Sequence, residues 1–223
     1  MQIDVITLFP KMLDGFVSES IIGRAMREHL VDLRVHNLRD WAKDVHHTVD
    51  DRPFGGGAGM VLKPDPLMHA VSDLRREDTY VVYLCPDGPL LSNQRVRAFS
   101  KRKHLLLISG HYESVDERFR TSYVDEEVSI GDYVLTNGTL PAAVLIDAVV
   151  RYIPGVLGAE QSLEQDCFSN GLLSFPQYTR PFNFNGDEVP SVLLSGDHEA
   201  IASWRLEQQM LRTIRRRPDL IFN

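Results

Sequence analysis

Four turns in this sequence combine residues that tolerate unusual backbone angles with groups able to touch a ligand. The first, Asp50-Asp51-Arg52-Pro53-Phe54-Gly55-Gly56-Gly57-Ala58-Gly59-Met60, holds four glycines and a proline and is read as irregular throughout. Its glycines suggest a phosphate cradle, but Met60 and Val61 stand where a P-loop needs Lys and Ser or Thr. A mobile loop whose bare backbone approaches a ligand suits these residues better. The other three each follow an apolar run: Tyr83-Leu84-Cys85-Pro86-Asp87-Gly88, Ser109-Gly110-His111-Tyr112-Glu113, and the stretch Ser129-Ile130-Gly131-Asp132-Tyr133-Val134-Leu135-Thr136-Asn137-Gly138. Exposed amides and carbonyls there could read an adenine edge without side chains. The same residues would also make three ordinary turns.

Metal and thiol chemistry find little support. His46-His47 with Asp50-Asp51, and Asp125-Glu126-Glu127, are read as polar surface, because adjacent histidines point apart and no clear helix pairs ligands at i and i+4. No metal ligand is assigned. Cys167 has no histidine nearby in sequence to activate it and is given a passive role.

Placing those turns requires a sheet. Residues 3–9, 33–37, 80–84 and 104–109 read as apolar strands, with a short fifth at the end of 124–130. Residues 18–30, 64–76, 94–103 and 141–152 carry helical spacing. Such alternation predicts an α/β fold with a parallel sheet, in which ligands sit outside the carboxyl ends of the strands. The usual glycine turn after the first strand is missing, since that strand runs into Leu8-Phe9-Pro10-Lys11-Met12. Residues 155–173 lose periodicity and read as a linker, and a helix-rich tail follows, clearest over 199–216.

With 43% hydrophobic residues over 223 positions, the chain can bury a core of one domain plus a small appendage. No apolar run approaches the roughly 20 residues of a membrane span, and the N-terminus does not read as a signal peptide. Two cysteines without CxxC spacing point to a reducing cytoplasm. The net charge of −7 weighs against a nucleic-acid partner only if placement is ignored. Arg95, Arg97, Lys101, Arg102 and Lys103 form one basic stretch, and Arg212, Arg215, Arg216 and Arg217 another. On charge alone both read as solvated helix faces, compatible with RNA but not demanding it.

Taken together, the segments resemble the bacterial-type tRNA (guanine-N1)-methyltransferases of the trefoil-knot superfamily. The pieces that match are Ile6-Thr7-Leu8-Phe9-Pro10, Thr48-Val49 followed by the glycine loop, and the three strand-end turns. Further matches are Gly110-His111-Tyr112-Glu113-Ser114-Val115-Asp116-Glu117-Arg118, Arg151-Tyr152-Ile153-Pro154-Gly155-Val156-Leu157-Gly158 and Tyr178-Thr179-Arg180-Pro181. They follow the family's order over nearly the whole chain.

That resemblance implies a knotted α/β methyltransferase domain over 1–158 with the trefoil knot at its C-terminal end. It also implies a flexible linker over 159–171, expected to order on tRNA binding, and a small helical tRNA-binding domain over 172–223. Topology rules treat true knots as nearly absent, so strand and helix patterns alone do not predict one. The resemblance further implies a cytoplasmic homodimer with active sites at the subunit interface. The methyl donor would be S-adenosyl-L-methionine, and the substrate N1 of the guanine at tRNA position 37, immediately 3′ of the anticodon, methylated in support of reading-frame maintenance. Tyr83, Leu84, Pro86, Gly110, Tyr112, Glu113, Ile130, Gly131, Asp132, Tyr133, Val134, Leu135, Gly138 and Pro141 would bind the cofactor. Asp166 and Arg151 match the catalytic pair, and Asp50 and Gly59 would face the target base. The sequence carries no motif that decides a Mg2+ requirement. Departures from the family are Asn137 and Thr139, where Gly and Glu are common, Cys167 for Ser, and an end at Asn223 that is early among relatives.

The implied chemistry is coherent. Guanine N1 bears a proton, so a carboxylate from Asp166 can take it, which is worth about 10²–10⁴-fold. Negative charge then spreads to O6, where the Arg151 guanidinium would stabilise it. Methylation of another RNA atom, and a non-catalytic RNA-binding module, are the two competing readings.

Overall fold

A computed structural model describes residues 1–158 and 166–222. The chain divides into two compact units, residues 1–158 and 159–223. The expected linker over 159–171 falls partly on residues 159–165, which lie outside the described residues.

In the first unit, β1 (Gln2–Thr7) is followed by α1 (Asp14–Ser18), α2 (Ser20–Arg27) and β2 (Asp32–Asn37). Next come β3 (Asp50–Asp51), β4 (Val61–Leu62), α3 (Pro64–Leu74), β5 (Thr79–Leu84), α4 (Asn93–Phe99) and β6 (His104–Ser109). The unit closes with β7 (Ser114–Val115), α5 (Glu117–Tyr123), β8 (Glu126–Val128) and α6 (Thr139–Val150). Five strands form one sheet in the order β2-β1-β6-β5-β8, and every pairing in it is parallel. The central strand β6 reads HLLLIS and is buried at each position, as a parallel strand covered on both faces must be.

Alternation along the strands supplies two cores. Ile3, Val5, Leu105 and Leu107 pack with Ile146 and Val149 of α6, while Ile6, Leu106, Ile108 and Val81 pack with Leu67 and Val71 of α3. One charged group breaks the apolar interior. Asp4 is 1% exposed and accepts from Gln2 Nε2 at 2.7 Å, with His36 Nε2 at 2.6 Å and His104 Nε2 at 2.8 Å. Thr79 Oγ1 lies 2.7 Å from His104 Nδ1, so the network spans β2, β1, β6 and β5.

The predicted α/β parallel architecture is observed, with local corrections. The helix expected over 18–30 is the shorter α2, Ser20–Arg27, because Ser18 instead closes α1, its hydroxyl donating to Asp14 O, and Ser20 takes φ 54°. The helix expected over 94–103 ends at Phe99, since Lys103 O already accepts from Gln2 N at the start of the sheet. The stretch 50–60, read as wholly irregular, begins with β3, which pairs antiparallel with β4. In turn β4 pairs parallel with β7, making a three-stranded side sheet.

The second unit contains a hairpin, β9 (Asn183–Phe184) with β10 (Asp187–Glu188), and the long helix α7 (His198–Arg216). Asp197 caps α7 by accepting from the amides of Glu199 and Ala200. The Thr213 hydroxyl accepts from Leu173 N at 2.9 Å, and Arg205 lies over Phe175 at 4.8 Å.

Candidate active site

All five main strands run the same way, so Thr7, Leu84, Ser109 and Val128 end on one edge. From β5 the chain passes to β6 on one side and then returns to β8 on the other. Loops leaving β6, β5 and β8 therefore diverge around a crevice, the place where open α/β sheets bind ligands. A cleft opens there.

The three strand-end turns line it together. Tyr83, Leu84 and Pro86 come from the end of β5, and Gly110, Tyr112 and Glu113 from the end of β6. Ile130, Gly131, Tyr133, Val134 and Leu135 follow β8, and Gly138 and Pro141 open α6. Of the expected cofactor positions, Asp132 alone is not in the lining. Cys85, His111, Ser129, Thr136 and Asn137, which belong to the same three turns, also line the cleft, and Ser114 and Val128 extend the lining just beyond them. Ser114 and Val128 adjoin those turns at Glu113 and Ser129, so the turn-after-strand signal could have found them.

The walls are tied to one another. Gly138 N donates to Gly110 O at 2.7 Å, and His111 Nδ1 lies 3.1 Å from Thr136 O. A side chain on Gly138 would put a carbon 2.8 Å from Gly110 N, so only glycine permits this approach. Below the cleft, Thr139 is fully buried and its hydroxyl meets Thr7 Oγ1 at 2.8 Å and Ser109 Oγ at 3.0 Å. Asn137 Oδ1 accepts from Thr139 N at 2.9 Å and satisfies an amide in the first turn of α6. Of the departures from the family pattern, Thr139 thus joins the ends of β1 and β6 to α6, and Asn137 holds the start of that helix. On the opposite wall, Arg120 grips both oxygens of Glu127 and reaches Asp87 at 2.7 Å, fixing the turn that carries Pro86. Tyr112 holds φ 57°, a backbone angle costly for a non-glycine residue and concentrated at functional sites. Burial pushes the Tyr83 hydroxyl above its ordinary value.

Among the described residues no lysine or arginine lines the cleft. Its charged side chain is Glu113, alongside Tyr83, Tyr112, Tyr133 and the apolar Leu84, Ile130, Leu135 and Pro141. A polyphosphate would find no cation there. A nucleoside carrying positive charge fits, with apolar walls for the base and tyrosine faces and a carboxylate for the cation.

Asp50, Gly59 and Arg151 are not among the lining residues. Asp50 belongs to β3, and Gly59, with φ 82°, approaches so closely that a side chain there would overlap the Glu113 carboxylate. Arg151 is half-buried at the C-cap of α6. Ten residues at about 1.5 Å rise put it about 15 Å from Pro141 along the helix. Asp166 belongs to the second unit, where its carbonyl accepts from Ser169 Oγ at 2.8 Å. Cys167 Sγ lies 3.0 Å from Ser174 Oγ. Among the described residues no group of three or more His, Cys, Asp or Glu could hold a metal ion, and no helix is long and apolar enough to cross a membrane.

Sheet, crevice and lining define an α/β protein with a cleft across its strand ends, walled by apolar and tyrosine side chains and one carboxylate. Comparison with known proteins gives that class a family. The family model described as tRNA (Guanine-1)-methyltransferase TrmD matches residues 1–223. A tRNA (guanine-N(1)-)-methyltransferase of Staphylococcus haemolyticus is 52% identical over 99% of this chain and 91% of its own length. A protein of the same description from Staphylococcus aureus is 53% identical over the same shares. The chain belongs to the tRNA (guanine-1)-methyltransferase family.

Proposed function

We propose that this chain transfers a methyl group from S-adenosyl-L-methionine to N1 of the guanine immediately 3′ of the tRNA anticodon. The observation that carries this reading is a cleft at the strand ends that offers tyrosines and a carboxylate but no cation, in a chain matched over its whole length by this family. The donor fits that lining, and when bound it supplies an electrophilic methyl on sulfur.

The chain's own residues supply binding and proton transfer. Leu84, Ile130, Leu135 and Pro141 exclude water around the adenine, and the tyrosines and Glu113 favour the positive end. Asp166 would take the proton from guanine N1, freeing the electron pair with which that atom would displace the donor's sulfur from the methyl carbon, the sulfur leaving as a neutral thioether. Arg151 faces O6 and stabilises the charge that leaves N1, so it does not pair with Asp166 in the reactive complex. Asp50 and Gly59 flank the base.

This reading includes a homodimer with shared sites, a trefoil knot within residues 1–158, a tRNA-binding tail over 172–223 and a cytoplasmic location. Support for the dimer comes from α6. Leu140 and Val144 are 51% and 47% exposed, and with Asp147 and Arg151 they follow an i, i+4, i+7, i+11 stripe on one face. Two exposed apolar residues on a face that leads through Asp147 to Arg151, well away from its own chain's cleft, suit a helix covered by a second copy whose cleft Arg151 serves.

The test is methyl transfer from radiolabelled donor to purified tRNA, with the product nucleoside identified by mass spectrometry. We expect N1-methylguanosine, lost when that guanine is replaced. Another methylated nucleoside, or no transfer, overturns the proposal.

A further inference from the structure

Phe54 is 100% exposed, at the tip of the glycine loop. Single exposed apolar residues are ordinary on a protein surface. What distinguishes this one is where its loop is anchored. The loop leaves β3 and re-enters β4, and β4 runs parallel beside β7 with Val61 opposite Ser114. Met60 and Glu113 are thus the residues just ahead of two neighbouring strands, and Glu113 N donates to Met60 O at 3.0 Å. Glu113 also lines the cleft. Phe54 lies six residues before Met60, a span of at most about 22 Å, so the loop is long enough to carry its ring to the cleft mouth. Gly55, Gly56 and Gly57 follow it with φ of 86°, 79° and 123°, and nothing lies within 4 Å of a side chain built on any of them. Open space and left-handed angles leave this tip free to move against an incoming ligand.

We propose that Phe54 is a substrate-binding residue whose ring stacks on the target guanine as it enters the cleft. The inference rests on the proposed function. A base whose N1 must reach a methyl group leaves its stack in the RNA, and its exposed face then needs a flat apolar partner. Phe54 supplies that face and needs no hydrogen bond. The exposed Arg52 lies two residues away, with a guanidinium suited to the adjoining phosphate.

The experiment compares wild type, Phe54→Trp and Phe54→Leu. Leucine keeps apolar bulk but removes the aromatic face. Phe54→Leu is expected to lower kcat/KM for tRNA about tenfold or more, with unchanged affinity for S-adenosyl-L-methionine and unchanged oligomeric mass, and Phe54→Trp is expected to restore it. With 2-aminopurine in place of the target guanine, fluorescence should be quenched on binding wild type and remain bright with Phe54→Leu. Wild-type-like kinetics and quenching in Phe54→Leu overturn the proposal. So does parallel loss of donor binding, dissociation of the oligomer, or failure of tryptophan to rescue. Wild type that binds tRNA but transfers no methyl group would instead overturn the underlying function.

Discussion

Cys85 lies in the cleft wall, where burial and then the Asp87 carboxylate push its thiol up to about 12. At pH 8 that leaves roughly one molecule in 10⁴ as thiolate, so a cleft-lining cysteine is chemically silent. Iodoacetamide should leave Cys85 intact in the native protein and label it after unfolding. Rapid labelling of the folded protein at Cys85, located by peptide mass mapping, would contradict this. Asp166 has the opposite expectation. Asp166→Asn should lower turnover by about 10²-fold or more while donor binding, measured by calorimetry, is retained. Turnover near wild type with normal donor binding would remove Asp166 as the base. The residue scale also shows where sequence reading ends. The cleft turns were legible because glycine and proline punctuate apolar strands, whereas the roles of Asp166 and Arg151 rested on resemblance alone. Nothing in an isolated aspartate or a helix-end arginine declares chemistry.

At the scale of elements, strands β1, β5 and β6 were readable because buried parallel strands are short, largely apolar runs, and the edge strand β2 because Leu33 and Val35 alternate with polar residues. The side sheet was not. β3, β4 and β7 have two residues each, too few for any period, and their pairing is decided by tertiary contact. Helix α5 was missed for a related reason. Its signals were the Asp116 cap and Phe119 with Tyr123, whose rings lie 5.5 Å apart and nearly parallel. The Asp4 network ties these strands and yields a prediction. Burial alone would raise this carboxyl, but hydrogen bonds with His36, Gln2 and His104 outweigh it and hold it below the usual carboxylate range. A depressed folded pKa contributes stability that is complete above about pH 4 and is lost as pH falls through the folded value. Asp4→Asn should cost about 1–3 kcal/mol near neutrality, and the gap should narrow on acidification below about pH 4. A difference in Tm that stays constant from pH 7 to pH 3, by calorimetry, would show that the ionised carboxylate is not what holds the strands.

At the scale of the whole molecule, the first unit carries a cleft and the second carries the proposed base. We propose that a working site takes its cleft from one chain and its aspartate from another. Two inactive variants test it. Gly131→Val obstructs the cleft wall, because a Cβ at that position lies 2.2 Å from the Tyr133 ring. Asp166→Ala removes the base. Each homodimer should be inactive alone. After co-refolding, random pairing makes about half the dimers mixed, each with one complete site of two, so about a quarter of wild-type methyl transfer should return. Circular dichroism on each variant and native mass spectrometry on the mixture establish folding and subunit exchange. With those in place, recovery near a quarter is the predicted result, and activity that stays at background would contradict the account.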